Sequence, residues 1–332
     1  MKTATDAERL LDVRGLSVRF FGDEGIVTAV DDVSFALSLG ETLCLLGESG
    51  CGKTVTMRSL MWLLPATARI TGSVRLDGVE VTKLQERELR KMRGSTVAMV
   101  FQDPMSALDP VFTIGQQIIE VVVAHEGVSH TTARARALEL LEMVQIPSAE
   151  RRLDAFPHEL SGGLRQRAMI ALALSCRPKL LLADEPTTAL DATVEIQILV
   201  LLRELQRELG MAIILVTHDL GVASEIADRV AVMYAGRLVE TAANGELIRA
   251  PRHPYTAGLL ASTVGERTQD SVLTPIPGAP PNLADIPRGC AFAPRCMHTF
   301  DRCTVEAPQL IGIGSNRAVR CHLVIPVAAE AG

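Results

Sequence analysis

Short uninterrupted apolar runs alternate along this chain with segments whose apolar positions recur at helical spacing, and glycines or charges mark the changeovers. Residues 42–46, TLCLL, have the length of a buried strand. The glycine-rich GESGCG comes next, and residues 55–64 then carry the spacing and composition of a helix. Residues 179–183, KLLLA, are a second apolar run, continuous enough for a central parallel strand buried on both faces, and residues 213–217, IILVT, are a third. A helix is predicted over 164–175, opened by Ser-Gly-Gly, and another over 131–144, written in Ala, Arg, Leu and Glu with apolar spacing. Past residue 250 the texture changes. Residues 274–289, TPIPGAPPNLADIPRG, predict an extended connector with little regular structure.

At 332 residues the chain can bury one large core and carry a smaller appendage. Lys and Arg number 33 against 39 Asp and Glu, a formal net charge of -6. No bulk positive field gathers nucleic acid or anionic lipid, so nucleic acid is not an expected partner and membrane contact must pass through a partner protein. The opening MKTATDAERLL lacks the apolar core of a signal peptide, and no run reaches the roughly 18 to 20 apolar residues of a spanning helix. The expectation is a cytosolic chain. Its seven cysteines are then poor disulfide candidates. Cys44, Cys51 and Cys176 stand singly and read as small buried hydrophobes, whereas Cys290, Cys296, Cys303 and Cys321 gather near the end.

The changeover after the first apolar run carries chemistry. Residues 47–54 match G-x-x-x-x-G-K-T, placed between a strand and a helix as that pattern requires. Backbone N–H groups of residues 48–54 at the positive end of the helix can cradle phosphate, Lys53 neutralises the outer phosphates, and Thr54 ligates magnesium. The second apolar run ends in Asp184 and Glu185. Charges at the end of a strand buried on both faces call for a cation or a substrate: Asp184 for magnesium through water, Glu185 for the attacking water. Ser161, Gly162 and Gly163 open a helix, a further anion site.

In this order, these motifs resemble the ATP-binding subunits of ABC transporters. Walker A lies at 47–54, a Q-loop glutamine at Gln102 in VFQDP, the signature at 160–164, and Walker B ends in Asp184 and Glu185; the D-loop carries Asp191 and the switch histidine is His218 in VTHDL. The resemblance implies an α/β fold, a P-loop ABC-type nucleotide-binding domain with a RecA-like core, an antiparallel β subdomain and a helical subdomain, plus a small C-terminal Cys-rich extension. It places the ATPase domain at 10–250, the helical subdomain at about 103–160 and the extension at 251–332. ATP contacts fall on Gly47, Glu48, Ser49, Gly50, Cys51, Gly52, Lys53, Thr54 and Val55, and on Ser161, Gly162, Gly163, Asp184 and Asp191, with Phe20 (alternatively Phe21) stacked on adenine. Mg2+ falls to Thr54, Gln102 and Asp184. Glu185, His218 and Gln102 form the catalytic set. Two such subunits are expected to close head to tail on ATP, so that Ser161 and Gly163 of one touch the γ-phosphate bound by the other. Cys51 stands where a small residue such as Ser is common, and Leu164 where these subunits usually have Met; neither departure alters the phosphate contacts.

FQDPMSALDPVFTIGQQI (101–118), ADEPTTALDATVEIQIL (183–199) and PRHPYTAGLLAS (251–262) resemble the ATP-binding subunits of bacterial oligopeptide, dipeptide and nickel importers. That implies an ATPase driving peptide import at the cytoplasmic face of the cell membrane. Its partners would be two permease subunits, a second ATPase subunit in a heterodimer, and an extracytoplasmic solute-binding protein. Nickel import is the close rival, and a DNA-repair or translation ABC ATPase the rival of another class. The four late cysteines, spaced x5, x6 and x17, lack the tight C-x2-C pairs of zinc sites. They suit a 4Fe-4S cluster, with Zn2+ or unligated thiols as the alternatives, and the resemblance points the same way. A metal would stabilise a Pro-rich segment poor in large apolar residues. His298 and His322 are spare ligand candidates.

Overall fold

The computed structural model describes residues 9–23, 25–188, 190–262, 275–314 and 316–324. Residues 1–8 of the opening segment, Ala189 of the D-loop and Thr274 of the connector lie outside the described residues. Along the chain the strands are β1 (Arg9–Gly22), β2 (Gly25–Ser38), β3 (Thr42–Leu46), β4 (Ala68–Leu76), β5 (Val79–Glu80), β6 (Val97–Val100), β7 (Leu180–Asp184), β8 (Ala212–Thr217), β9 (Arg229–Tyr234), β10 (Arg237–Ala243), β11 (Ile311–Gly314) and β12 (Arg317–Val319). The chain forms two compact units, one from the described parts of 1–37, 42–82 and 215–332, the other from 38–41 and 83–214.

In the first unit β2, β1, β4 and β5 make an antiparallel sheet. The β1–β4 register slips between Arg14 and Ser17. There Gly72, at φ 100, lies so close to the Gly15 carbonyl that an added Cβ would come within 2.5 Å of it. The three apolar runs of the sequence explain the buried strands: β3 is buried at all five positions and pairs in parallel with β9, Leu46 facing Val232. β9 turns into β10 through Ala235 and Gly236, both at positive φ, the geometry of a two-residue hairpin. β12 then pairs with β10, and β11 with β12.

The core of this unit mixes β3, β9 and β10 with residues far along the chain. Tyr234, Tyr255 and Phe292 meet at ring distances of 4.6 to 5.4 Å, beside Cys44, Leu46, Val230 and Leu259. The segment after residue 250 thus has an apolar anchor that its composition did not suggest, and burying Phe292 alone contributes about 1.5–3 kcal/mol. The described part of the connector, residues 275–289, holds neither helix nor strand.

The second unit pairs β6 with β7 in parallel, Val97 opposite Leu180. Its helices begin where side chains cap them. Ser129 accepts from the Thr132 N–H to open His130–Met143, and Thr113 forms a capping box with Gln116 before Ile114–Glu126. β8, wholly buried, begins in this unit and ends in the first. The helix expected at 55–64 is instead Lys53–Leu60. It stops early because Trp62 takes φ 56 and the Leu63 N–H bonds back to the Arg58 carbonyl at 2.8 Å. No helix among the described residues is long and apolar enough to cross a membrane.

Candidate functional site

Residues 47–54 form a loop whose glycines are required by space. A Cβ on Gly47 would sit 2.3 Å from the Met233 carbonyl oxygen, and one on Gly52, at φ 106, 2.4 Å from that of Ala29. Gly50 also takes positive φ, 77°. Gly52 is the N-cap of the helix and supplies no side-chain bond, so the first amides of Lys53–Leu60 open toward the loop. Lys53 is 5% exposed and its Nζ donates to the carbonyls of Gly47 at 2.6 Å and Glu48 at 2.9 Å, curled over the loop. The Cys51 thiol is buried and desolvated, which pushes its pKa up, and the residue's carbonyl accepts from the Gly236 N–H at 2.9 Å. Cys51→Ser is expected to change nucleotide affinity less than about tenfold, because the thiol is buried and serine is a close isostere that leaves the backbone bonds of residue 51 to Glu48 and Gly236 in place. A titration of both proteins with ATP checks it.

Glu48 is held by residues distant in sequence. The Arg295 guanidinium donates to both its carboxylate oxygens, at 2.6 and 2.9 Å, and the Glu48 N–H donates to the Tyr255 hydroxyl at 2.9 Å. That amide is therefore turned to the loop's own support, unlike the expectation that all amides of 48–54 face phosphate. Phe20 lies half-buried on β1, with Phe21 more exposed, and His218 is exposed just after β8.

In the second unit Asp184 ends β7 at 4% exposure, and Glu185 follows at φ 45, left-handed for a residue with a Cβ. The Glu185 Oε2 accepts from Gln102 Nε2 at 3.1 Å and from Thr188 Oγ1 at 3.0 Å. The geometry thus brings two predicted catalytic residues into contact. Ser161 caps the helix Gly162–Leu174 through the Leu164 N–H, and Asp191 caps Ala192–Leu209 through the Val194 N–H. These two helix starts touch: a Cβ on Gly163 would lie 2.7 Å from Val194 Cγ1.

Cys290, Cys296, Cys303 and Cys321 line one cavity together with His253, His298 and His322. Gly289 permits this, since a Cβ there would strike the Cys303 carbonyl at 2.2 Å, and the Cys290 N–H donates to that same carbonyl. Burial first, then the neighbouring thiols, pushes Cys321 up to about 11 and raises Cys290 and Cys296. His253, fully desolvated, falls to about 3 and stays neutral, accepting the Tyr255 N–H on Nδ1. Among the described residues no group of three or more His, Cys, Asp or Glu side chains is placed to hold a metal ion.

The sequence reading missed Arg295 and Tyr255. Glu48 stands at a variable position of the 47–54 motif, and Arg295, 247 positions away, belongs to no motif spacing. For Tyr255 the signal was present in the stretch PRHPYTAGLLAS, without an indication of what the tyrosine touches.

The pattern of the ABC transporter family matches residues 30–188, and that of the oligopeptide/dipeptide transporter C-terminal region matches 239–303. The chain is 48% identical over 315 residues to the oligopeptide transport ATP-binding protein OppD of Escherichia coli, covering 95% of this chain and 93% of that one. It is 47% identical over 314 residues to the protein of the same name from Haemophilus influenzae, covering 95% and 97%. Among solved structures, a dimeric ATP-binding cassette in a post-hydrolysis state bound to ADP and Pi superposes with a TM-score of 0.63 at 30% identity, covering 70% of this chain and 98% of that one.

Proposed function

The chain belongs to the ATP-binding proteins of oligopeptide ABC transporters, and we propose the following division of labour among its residues. It is the ATPase subunit of a peptide importer, with the P-loop ABC nucleotide-binding fold and permease partners. The match of residues 239–303 carries the assignment to peptide cargo, because that segment lies outside the phosphate-binding motifs. ATPase activity of the chain reconstituted with its permeases tests it: loading the binding protein with oligopeptide will stimulate hydrolysis and nickel will not. Stimulation by nickel alone would overturn the peptide reading.

The loop at 47–54 holds the triphosphate through its helix-start amides and Lys53, and Phe20 stacks on adenine. Mg2+, held by Thr54, Gln102 and Asp184, would neutralise charge on the phosphates. Glu185, bonded to Gln102 and Thr188, orients the attacking water; the new bond joins water oxygen to the γ-phosphorus as the bond to the bridging oxygen breaks. His218 contacts the γ-phosphate. Ser161, Gly162 and Gly163, capping a helix at an exposed edge, present an anion site to the nucleotide of a second ATPase subunit, with Asp191 beside them. The dimeric form of the solved cassette supports that pairing. The partner reading is a heterodimer of ATPases on two permeases at the cytoplasmic face, fed by an extracytoplasmic binding protein. The ATPase domain spans 10–250, its helical subdomain at about 103–160 meets the permease, and the extension spans 251–332.

The four cysteines fit a metal centre in one respect that the structure carries: all four line one cavity. The spacing of the four cysteines lacks the tight C-x2-C pairs usual at zinc sites and suits a polynuclear 4Fe-4S cluster, with Zn2+ as the alternative. Cys290, Cys296, Cys303 and Cys321 would hold the cluster, which would tie the tail together. Purified without oxygen, the protein is expected to be brown with about four iron and four sulfide per chain, lost in a Cys290→Ser/Cys303→Ser variant. Colourless protein with about one zinc would replace the cluster by a zinc module.

A further inference from the structure

The C-terminal extension reaches into the phosphate-binding loop at Glu48, its first variable position. Arg295 is 5% exposed on its side chain and grips both Glu48 oxygens as a fork, at 2.6 and 2.9 Å. The guanidinium cannot swing away. Its Nε donates to the Pro277 carbonyl at 2.9 Å, its Nη1 lies 3.4 Å from the Tyr234 hydroxyl, and its carbon sits 5.8 Å over the Tyr234 ring. Tyr255, fully buried against Tyr234 and Phe292, takes the Glu48 N–H on its hydroxyl. Loop and extension are therefore joined through both the side chain and the backbone of one residue.

Two effects on the nucleotide arise from this. A carboxylate within a loop that receives a triphosphate repels it, and Arg295 supplies the matching positive charge. A loop whose amides are already fixed loses less freedom when phosphate arrives. We propose that Arg295 and Tyr255 are positioning residues for the phosphate-binding loop, through which the C-terminal extension sets the affinity for MgATP. Neither touches the reacting atoms. Arg295 directly precedes Cys296, so the strut ends one peptide from the cysteine cavity.

The inference rests on the reading of residues 47–54 as the ATP loop, and the test separates the two. ATP affinity, KM and kcat are measured on the intact chain for wild type, Arg295→Ala, Arg295→Lys, Tyr255→Phe, Glu48→Ala and Glu48→Ala/Arg295→Ala. The expected result is a KM raised about tenfold in Arg295→Ala and about threefold in Tyr255→Phe, with kcat within about twofold of wild type. Arg295→Lys, which keeps the charge without the fork, falls between. In the Glu48→Ala background the Arg295 substitution changes KM less than about twofold, because its partner is gone. Wild type that binds no ATP would defeat the loop reading itself. Wild type that binds while Arg295→Ala and Tyr255→Phe match it would defeat the inference, as would a full tenfold loss from Arg295→Ala in the Glu48→Ala background. Tyr255→Phe preserves the ring packing and decides the matter even if Arg295→Ala does not fold.

Discussion

Glu185→Gln will slow steady-state ATP hydrolysis by about a hundredfold to ten-thousandfold while ATP affinity stays within a few-fold. The substitution keeps the size of the side chain, and the amide oxygen still accepts from Gln102 Nε2 and Thr188 Oγ1, the partners at 3.1 and 3.0 Å. What it removes is the negative charge that, in the proposed mechanism, polarises and aligns water for attack on phosphorus. The ground state, assigned in the proposed mechanism to the loop amides and Lys53, keeps its contacts, so the loss is expected in kcat and not in binding. Phosphate release and equilibrium nucleotide binding, measured on one preparation, check it. Hydrolysis at the wild-type rate would remove Glu185 from the reaction.

The largest effect on stability is expected at Glu240. Its side chain is fully buried on β10, where the register to β9 shifts between Leu238 and Glu240. The carboxylate accepts from the backbone N–H groups of Arg252 and His253 and from the Arg317 guanidinium, at 2.9 to 3.1 Å. One anion thus joins β10 to the start of the helix Pro254–Ser262 and to β12. Glu240→Ala leaves two amides and a mostly buried cation without it, and breaking a buried pair from one side costs about 3–5 kcal/mol. Glu240→Gln, which restores an acceptor but not the charge, should cost less. Denaturant midpoints of the three proteins measure this, and a midpoint unmoved by Glu240→Ala would show that the joint lies elsewhere.

In the sequence itself Glu240 is one acid in RLVETAA, outside every motif. Its burial follows from partners at 252, 253 and 317, which no local pattern announces. The phosphate loop is the opposite case. Gly47, Gly50 and Gly52 were legible because only glycine fits those turns and approaches, so the requirement is written at the positions that meet it. The helix start at Ser161 was legible for the same reason, since its side chain bonds to the amide three residues ahead; Ser129 and Asp191 cap helices in the same way, though neither was read as a helix start. The early end of the first helix was not, since the left-handed turn is taken by Trp62, a residue type that gives no such signal.

The sequence by itself determined the buried strands, the loop between β3 and its helix, the order of the nucleotide motifs and the presence of four late cysteines. Those features rest on residue types demanded at the positions themselves, by turns, caps and close approaches, or on apolar runs whose burial any fold must satisfy. Only the tertiary structure decided that Arg295 and Tyr255 grip Glu48, that Gln102 meets Glu185, and that the four cysteines share one cavity. These contacts join residues tens to hundreds of positions apart. Their geometry comes from the packing of strands and aromatic rings around them, which the spacing of the residues does not encode.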